Sequence, residues 1–168
     1  SIIVAKQLGL STIDTGKVEL AGMLHDIGMI GVSDEILYKI DALSQEEYDE
    51  IKKHITYSVK ILEDIKQLKD VVEIIKYHHE KYDGTGYPYG VKGEDIPLGS
   101  RIIAVADAFD SIISNRIYRN KIELQDALNE IKKGALTQFD PVVVKAFEDS
   151  FDAISAAVSE SELSSYKD

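Results

Sequence analysis

Between Asp83 and Gly99, five glycines and two prolines (Pro88 and Pro97) fall within 17 residues, and a segment of that composition cannot continue a helix. On either side of it apolar residues recur at helical spacing, and no apolar–polar alternation runs long enough to suggest a strand. The chain therefore reads as all-α, a helical bundle interrupted by one long loop. With 168 residues it fits a single domain that buries roughly 70% of its unfolded surface.

Local signals predict the helices. Ser1 to Leu8 reads as the tail of a helix stopped by Gly9, and Ser11 as a cap near the next start. Lys17 to Gly28 carries apolar Val18, Leu20, Ala21, Met23, Leu24 and Ile27, with Gly28 and Gly31 as its end. Ser33 to Leu37 is a short turn or helix. Ser44 followed three residues later by Glu47 is a capping box, and the helix it opens is expected to run through His54. Thr56 to Asp64 and Asp70 to Tyr82 read as further helices, and Leu98 to Ser114 is apolar enough to be the central buried one. Glu123 to Lys133 and Pro141 to Phe151 are amphipathic, the latter with Asp140 as cap and Pro141 at its first position. Residues 1–151 are expected to form one domain, and 152–168 a fraying helix and tail.

The bulk numbers exclude several functions. With no cysteine there is neither a disulfide nor a thiolate metal site, which fits a cytoplasmic, reducing setting. A net charge of −11 argues against binding a nucleic-acid polymer. It leaves room for a small phosphate substrate, because two divalent cations would dominate the local field. No apolar run approaches the ~20 residues of a membrane span. The chain opens at Ser1 in what already reads as helix, so it is expected to be part of something longer.

Three groups of residues carry candidate chemistry. His25 and Asp26 adjoin at the end of an apolar helix, where a buried carboxylate needs a partner or a cation. His78-His79-Glu80 poses the same question at the end of another. Neighbouring helical positions lie about 100° apart, so these two histidines would serve one metal and a neighbouring group, or two metals. Asp107 sits in Ile102-Ile103-Ala104-Val105-Ala106-Asp107-Ala108-Phe109, mid-helix, where no free amide awaits capping; a cation is the more economical partner. Asp110, near it, reads as solvated. Imidazole and carboxylate without thiolate suit Fe, Mn or Zn rather than Mg or Ca. A two-metal site with ions ~3.5–4 Å apart would activate water for in-line displacement at phosphorus.

Leu24-His25-Asp26-Ile27-Gly28 resembles the signature of the HD superfamily of metal-dependent phosphohydrolases. His78-His79-Glu80-Lys81-Tyr82-Asp83-Gly84-Thr85-Gly86-Tyr87-Pro88, beginning 53 positions after His25, is similar to the HHExxDGxGYP signature of its HD-GYP subgroup. Matches continue through Ile96-Pro97-Leu98, Arg101-Ile102, Val105 to Asp110, Ser114 to Arg119, and Gly134 to Pro141. The resemblance spans about residues 4–150. It implies an HD-domain helical bundle with additional C-terminal helices and a bacterial phosphodiesterase that hydrolyses cyclic di-GMP to the linear dinucleotide or GMP. It also implies two metals, sometimes three, often iron or manganese. His25, Asp26, His54, His78, His79 and Asp107 are then the ligands, Asp26 the bridge, and Asp26 with His25 the catalytic pair. The loop glycines Gly84 and Gly86 let the backbone turn tightly, and Tyr87-Pro88 offers a flat apolar surface beside the substrate. In the family this loop is linked to GGDEF cyclase domains. Arg116 and Arg119 are implied phosphate contacts. An upstream sensory or receiver domain and a homodimer fit such an output module.

The sequence departs from that pattern in three places. No histidine precedes His25, Met29 stands where the family commonly has a phosphate-binding lysine, and Asn115-Arg116-Ile117 replaces Arg-Pro. Two alternatives follow: a degenerate signalling module that binds without turnover, and an HD phosphohydrolase acting on another nucleotide or phosphate ester.

Overall fold

Three side-chain caps set the starts of three helices. Ser11 accepts from the Asp14 amide to open α2 (Thr12–Leu24), which follows the short α1 (Ile2–Gln7). After α3 (Asp34–Leu37), Ser44 and Glu47 cap one another's backbone in a full capping box at the start of α4 (Gln45–Lys52). α5 (His54–Leu62) and α6 (Lys69–Lys76) come next, then the loop, then α7 (Leu98–Ile117) and α8 (Leu124–Lys133). Asp140 accepts from the Val142 amide, with Pro141 at the first turn, to start α9 (Pro141–Asp149), and α10 (Phe151–Ser165) ends the order. This computed structural model describes residues 1–117 and 124–165, with side chains over 1–114 and 124–160. Among them there is no strand, only an isolated bridge between Ala135 and Phe139, and no helix long and apolar enough to cross a membrane.

α7 is the hub. Ile102, Ile103, Val105 and Phe109 are all buried, so the helix is covered nearly all round. It packs against α1, α2, α6, α8 and α9. The core adds Val4 and Ala5 of α1, Val18 and Ala21 of α2, Val71 and Ile75 of α6, Leu128 and Ile131 of α8, and Val143 and Phe147 of α9. The start of α7 is pinned to the end of α6: the buried Ser100 hydroxyl donates to the Ile74 carbonyl at 2.7 Å. A β-carbon on Gly99 would lie 2.7 Å from the Ile74 side chain.

Of the predicted boundaries that move, three lie beside a candidate ligand. α2 begins at Thr12 and ends at Leu24 rather than Gly28, and residues 27–31 form a 3₁₀ turn. The reason is Gly28: its amide donates to Ser58 Oγ at 2.9 Å, and a β-carbon there would fall 2.0 Å from the His54 carbonyl oxygen. That close approach to α5 requires the chain to leave the helix. The helix opened by Ser44 breaks at Lys53, so His54 begins α5. α6 ends at Lys76 instead of running to Tyr82, which leaves His78, His79 and Glu80 in a turn. The Pro141 helix likewise breaks at Ser150, and Ile154 of α10 is buried in the same core.

One ion pair joins the two halves of the bundle. Arg101 of α7 donates from Nη1 to Asp140 and from Nε to the Ile96 carbonyl, and Asp140 is 3% exposed. Replacing Asp140 by Ala removes the α9 cap and leaves a largely buried guanidinium unpaired. Asp140→Ala is expected to cost about 3–5 kcal/mol, read as a lowered urea midpoint with an unchanged slope.

Candidate metal centre

Three helices end in the same way. His25 closes α2, His54 follows α4 and His78 follows α6, and each directs its own Nδ1 at the carbonyl three residues back. The distances are 2.8 Å to Gly22, 2.7 Å to Ile51 and 2.6 Å to Ile75. Carbonyls near a helix end lack an intrahelical partner, and a carbonyl can only accept. Each Nδ1 therefore carries a proton toward its own helix, and each Nε2 is aimed away from it. His54 and His78 are 2% and 1% exposed, and both of their Nε2 atoms are buried without a hydrogen-bond partner. An unsatisfied buried polar atom is costly, and a cation is the partner this one lacks.

These atoms converge. One ligand atom each from Asp26, His54, His78 and His79 lie within 4.8 Å of one another. Asp26 faces two ways: Oδ1 is 3.4 Å from His54 Nε2, and Oδ2 is 3.3 Å from His25 Nε2. His25 Nε2 also lies 3.7 Å from Asp107 Oδ1. The sequence-predicted His25, Asp26, His54, His78, His79 and Asp107 are thus all brought to one place, with the His25 and His78 ring centroids 5.2 Å apart. Two premises of the sequence reading are corrected. His78 and His79 are off the helix, with ring centroids 4.0 Å apart, so both reach the cluster. Asp26 and Asp107 are not buried carboxylates; their side chains are 51% and 37% exposed, opening onto solvent.

The electrostatics set His25 apart from His78 and His79. Burial pushes the His78 imidazole down to about 3, and burial reinforced by His54 lowers His79 as well. Both stay neutral and ready to coordinate at neutral pH. Asp107 and Asp26 instead raise His25 to about 10. Burial lifts the Asp26 carboxyl, but the His25 contact outweighs it and holds the group at about 2; His25 likewise holds Asp107 down. A cation bound at His25 must displace a proton.

A cleft of about 540 Å³ opens beside the cluster, with His78, His79, Tyr87 and Asp107 on one side and Ala104, Ala108, Ile131 and Phe139 among its other walls. The glycine-rich loop forms one edge. Its first residues are stitched to the turn before α9 by Tyr82 N to Gln138 O at 3.2 Å and Asp83 N to Thr137 O at 2.9 Å. The Tyr87 ring stacks on His79 at 5.0 Å, and its amide donates to the His79 carbonyl. Gly84 has φ +86°, and a β-carbon on Gly86 would sit 2.2 Å from the Lys81 nitrogen. The close approach served by Gly86 is thus to the histidine turn itself. Pro88 is exposed on the loop surface. The Arg119 assignment and the Arg116 side chain lie outside the described residues.

Two supporting roles were not read from the sequence, that of Glu80, noted there only beside the histidine pair, and that of Ser58. Glu80, 3% exposed, accepts from the Tyr89 and Gly90 amides at 2.7 and 3.1 Å, tying the loop tip to the histidine turn. Ser58, fully buried, donates to the His25 carbonyl at 3.1 Å while accepting from Gly28. Glu80 had a local signal in its place beside the histidine pair; Ser58 had none.

A family model described as an HD domain matches residues 2–143. The cyclic di-GMP phosphodiesterase of Thermotoga maritima is 40% identical over 146 residues, covering 86% of this chain and 40% of that protein. The cyclic di-GMP phosphodiesterase response regulator RpfG of Xanthomonas campestris is 38% identical, covering 86% and 39%. The chain therefore spans about two-fifths of the length of these curated relatives. A crystal structure of a cyclic GMP-AMP specific phosphodiesterase from V. cholerae shares the fold, with a TM-score of 0.69 at 22% identity over 90% of this chain and 41% of that one.

Two measurements check the centre. Mn²⁺ or Fe²⁺ added to metal-free protein is expected to raise the melting temperature saturably, because the cation binds the folded state, and His78→Ala or Asp26→Ala to remove most of that rise. Ser58→Ala, which strands the Gly28 amide, is expected to cost about 1–3 kcal/mol in urea denaturation and to weaken the metal response.

Proposed function

We propose that this chain, which belongs to the HD domain family and carries the HD-GYP signature of one branch of it, is the phosphodiesterase part of a longer bacterial signalling protein. It hydrolyses cyclic di-GMP to the linear dinucleotide or to GMP. The observation that carries the reading is the pair of buried Nε2 atoms on His54 and His78, left without partners and gathered with Asp26 and His79 beside an open cleft.

The donor set fits divalent cations. His54, His78 and His79 would hold one, His25 and Asp107 a second, and Asp26, with an oxygen toward each group, would bridge them. Imidazole and carboxylate donors favour iron or manganese and admit zinc; a third ion is compatible with the acidic surroundings. Bound cations supply Lewis-acid activation of water and stabilisation of the charge that develops on the phosphoryl oxygens. The chain's own residues do the rest. The helix-end carbonyls hold each imidazole in its ligating tautomer, and Asp26 with His25 forms the catalytic pair. The stacked Tyr87 and the loop shaped by Gly84, Gly86 and Pro88 wall the substrate, and Arg116 and Arg119 take phosphate. We assign the same loop as the contact for a GGDEF cyclase domain. The proposal includes an upstream sensory or receiver domain, a cytoplasmic setting and a homodimer.

One residue favours a second reading. Met29, half-buried in the 27–31 turn, has no side-chain donor for a phosphate, as a non-catalytic module that binds a cyclic dinucleotide would allow. A phosphohydrolase for another phosphate ester is disfavoured by the presence of the loop signature.

Cyclic di-GMP incubated with manganese- or iron-loaded protein and followed by chromatography is expected to yield the linear dinucleotide or GMP, and Asp26→Ala to slow it by at least about 10²-fold. No product at full metal occupancy would overturn the enzymatic reading. In that event a Met29→Lys variant that stays inactive points to the binding module, whereas a large gain shows that the remaining site is competent.

A further inference from the structure

The cleft beside the histidines has an aromatic wall that the metal-centred chemistry leaves unused. Besides the histidines, its aromatic residues among those described are Tyr48, Tyr87 and Phe139. Phe139 is 4% exposed, and the Tyr87 ring is already stacked on His79 at 5.0 Å. Tyr48, by contrast, is 44% exposed. It directly follows the Ser44–Glu47 capping box on α4. Its amide donates to the Ser44 carbonyl at 3.0 Å, and Lys39 holds Glu47 at 2.7 and 2.6 Å. One turn on, the Lys52 ammonium sits 4.6 Å from the centre of the Tyr48 ring and 5.6 Å from that of Tyr87, so both rings meet at one cation. Asp49 pairs with that ammonium at 2.7 Å. Burial, reinforced by the Tyr48 phenol, raises the Tyr87 hydroxyl above its ordinary range, which also places the two phenols near one another.

An ammonium seated over a tyrosine is attracted to the ring, so Lys52 braces Tyr48 against the loop side of the cleft. The result is a fixed, half-open aromatic ring beside a centre suited to phosphate. Such a surface fits a flat, uncharged partner. A cyclic dinucleotide supplies one: each phosphodiester is flanked by riboses that carry bases, and a base reaches past the cleaved phosphate toward the cleft walls. Every base has a π-face that stacks on an aromatic side chain. A neutral base also meets none of the repulsion that a chain of net charge −11 offers to a phosphate. Resting on the functional reading above, we propose that Tyr48, braced by Lys52, stacks one base of the bound cyclic dinucleotide and so favours base-bearing phosphodiesters over those without a base.

The test compares wild type with Tyr48→Ala, Tyr48→Phe and Tyr48→Trp, all manganese-loaded and checked for equal metal content and melting temperature. Cyclic di-GMP binding is measured by calorimetry, with inorganic phosphate, which carries no base, as competitor. Loss of one stacking surface is expected to weaken cyclic di-GMP binding roughly tenfold in Tyr48→Ala and to leave the phosphate constant unchanged. Tyr48→Phe, which keeps the ring, should bind within about twofold of wild type. The chain contains no tryptophan, so Tyr48→Trp places a single reporter in the cleft wall. Its emission should be quenched by cyclic di-GMP and not by phosphate. Equal cyclic di-GMP affinity in wild type and Tyr48→Ala, a loss shared by Tyr48→Phe, a matching loss for phosphate, or tryptophan emission unchanged at saturation overturns the assignment and leaves the functional reading intact. A fully metal-loaded wild type that neither binds nor cleaves cyclic di-GMP overturns the functional reading, and this inference with it.

Discussion

The bond between each histidine Nδ1 and the carbonyl three residues before it is the contact on which the centre depends. It solves two problems at once. A helix that stops abruptly leaves carbonyls without partners, and a metal-binding imidazole needs one defined tautomer in one orientation. At His25, His54 and His78 a carbonyl near the helix end and the ring nitrogen bond to each other. Three helix ends thereby fix the orientation of three imidazoles, and the candidate ligands are positioned by the backbone.

The helix ends are in turn held by contacts remote from the ions. Gly28 and Ser58 lock the 27–31 turn onto α5, so that Asp26 can face both groups. Ser100 fastens α7 to the last carbonyls of α6, bringing Asp107 opposite His25. Arg101 and Asp140 join α7 to α9, and the turn before α9 receives the start of the loop. Glu80 closes the circuit by holding the loop tip under the histidine turn. The cleft wall and the ligand cluster are thus one connected structure rather than a lid over a site.

Much of this was legible in the sequence where a local rule acts alone. The Ser44–Glu47 box, the Asp140-Pro141 start, the Gly9 stop and the apolar run of α7 each need only their near neighbours, and each appears as read. The six candidate ligands were singled out because four histidines and two carboxylates coincide with a known signature, and the structure brings them together. The errors cluster at helix ends beside those ligands. Apolar periodicity continued past Leu24 and past Lys76, but His25 and His78 cap their own helices, and Gly28 must meet α5. No one-dimensional pattern encodes a partner 30 residues away, which is also why Ser58 and the Arg101–Asp140 pair went unseen.

The spread of the ligands along the chain has a consequence for assembly. His25, Asp26, His54, His78, His79 and Asp107 come from segments joined only through long-range packing, with the last on the central helix. Bringing such separated segments together carries the entropy of closing the intervening loops, so the cluster is a product of the whole bundle's packing, and a fragment that stops short of α7 lacks Asp107 and the helix that holds the others in place.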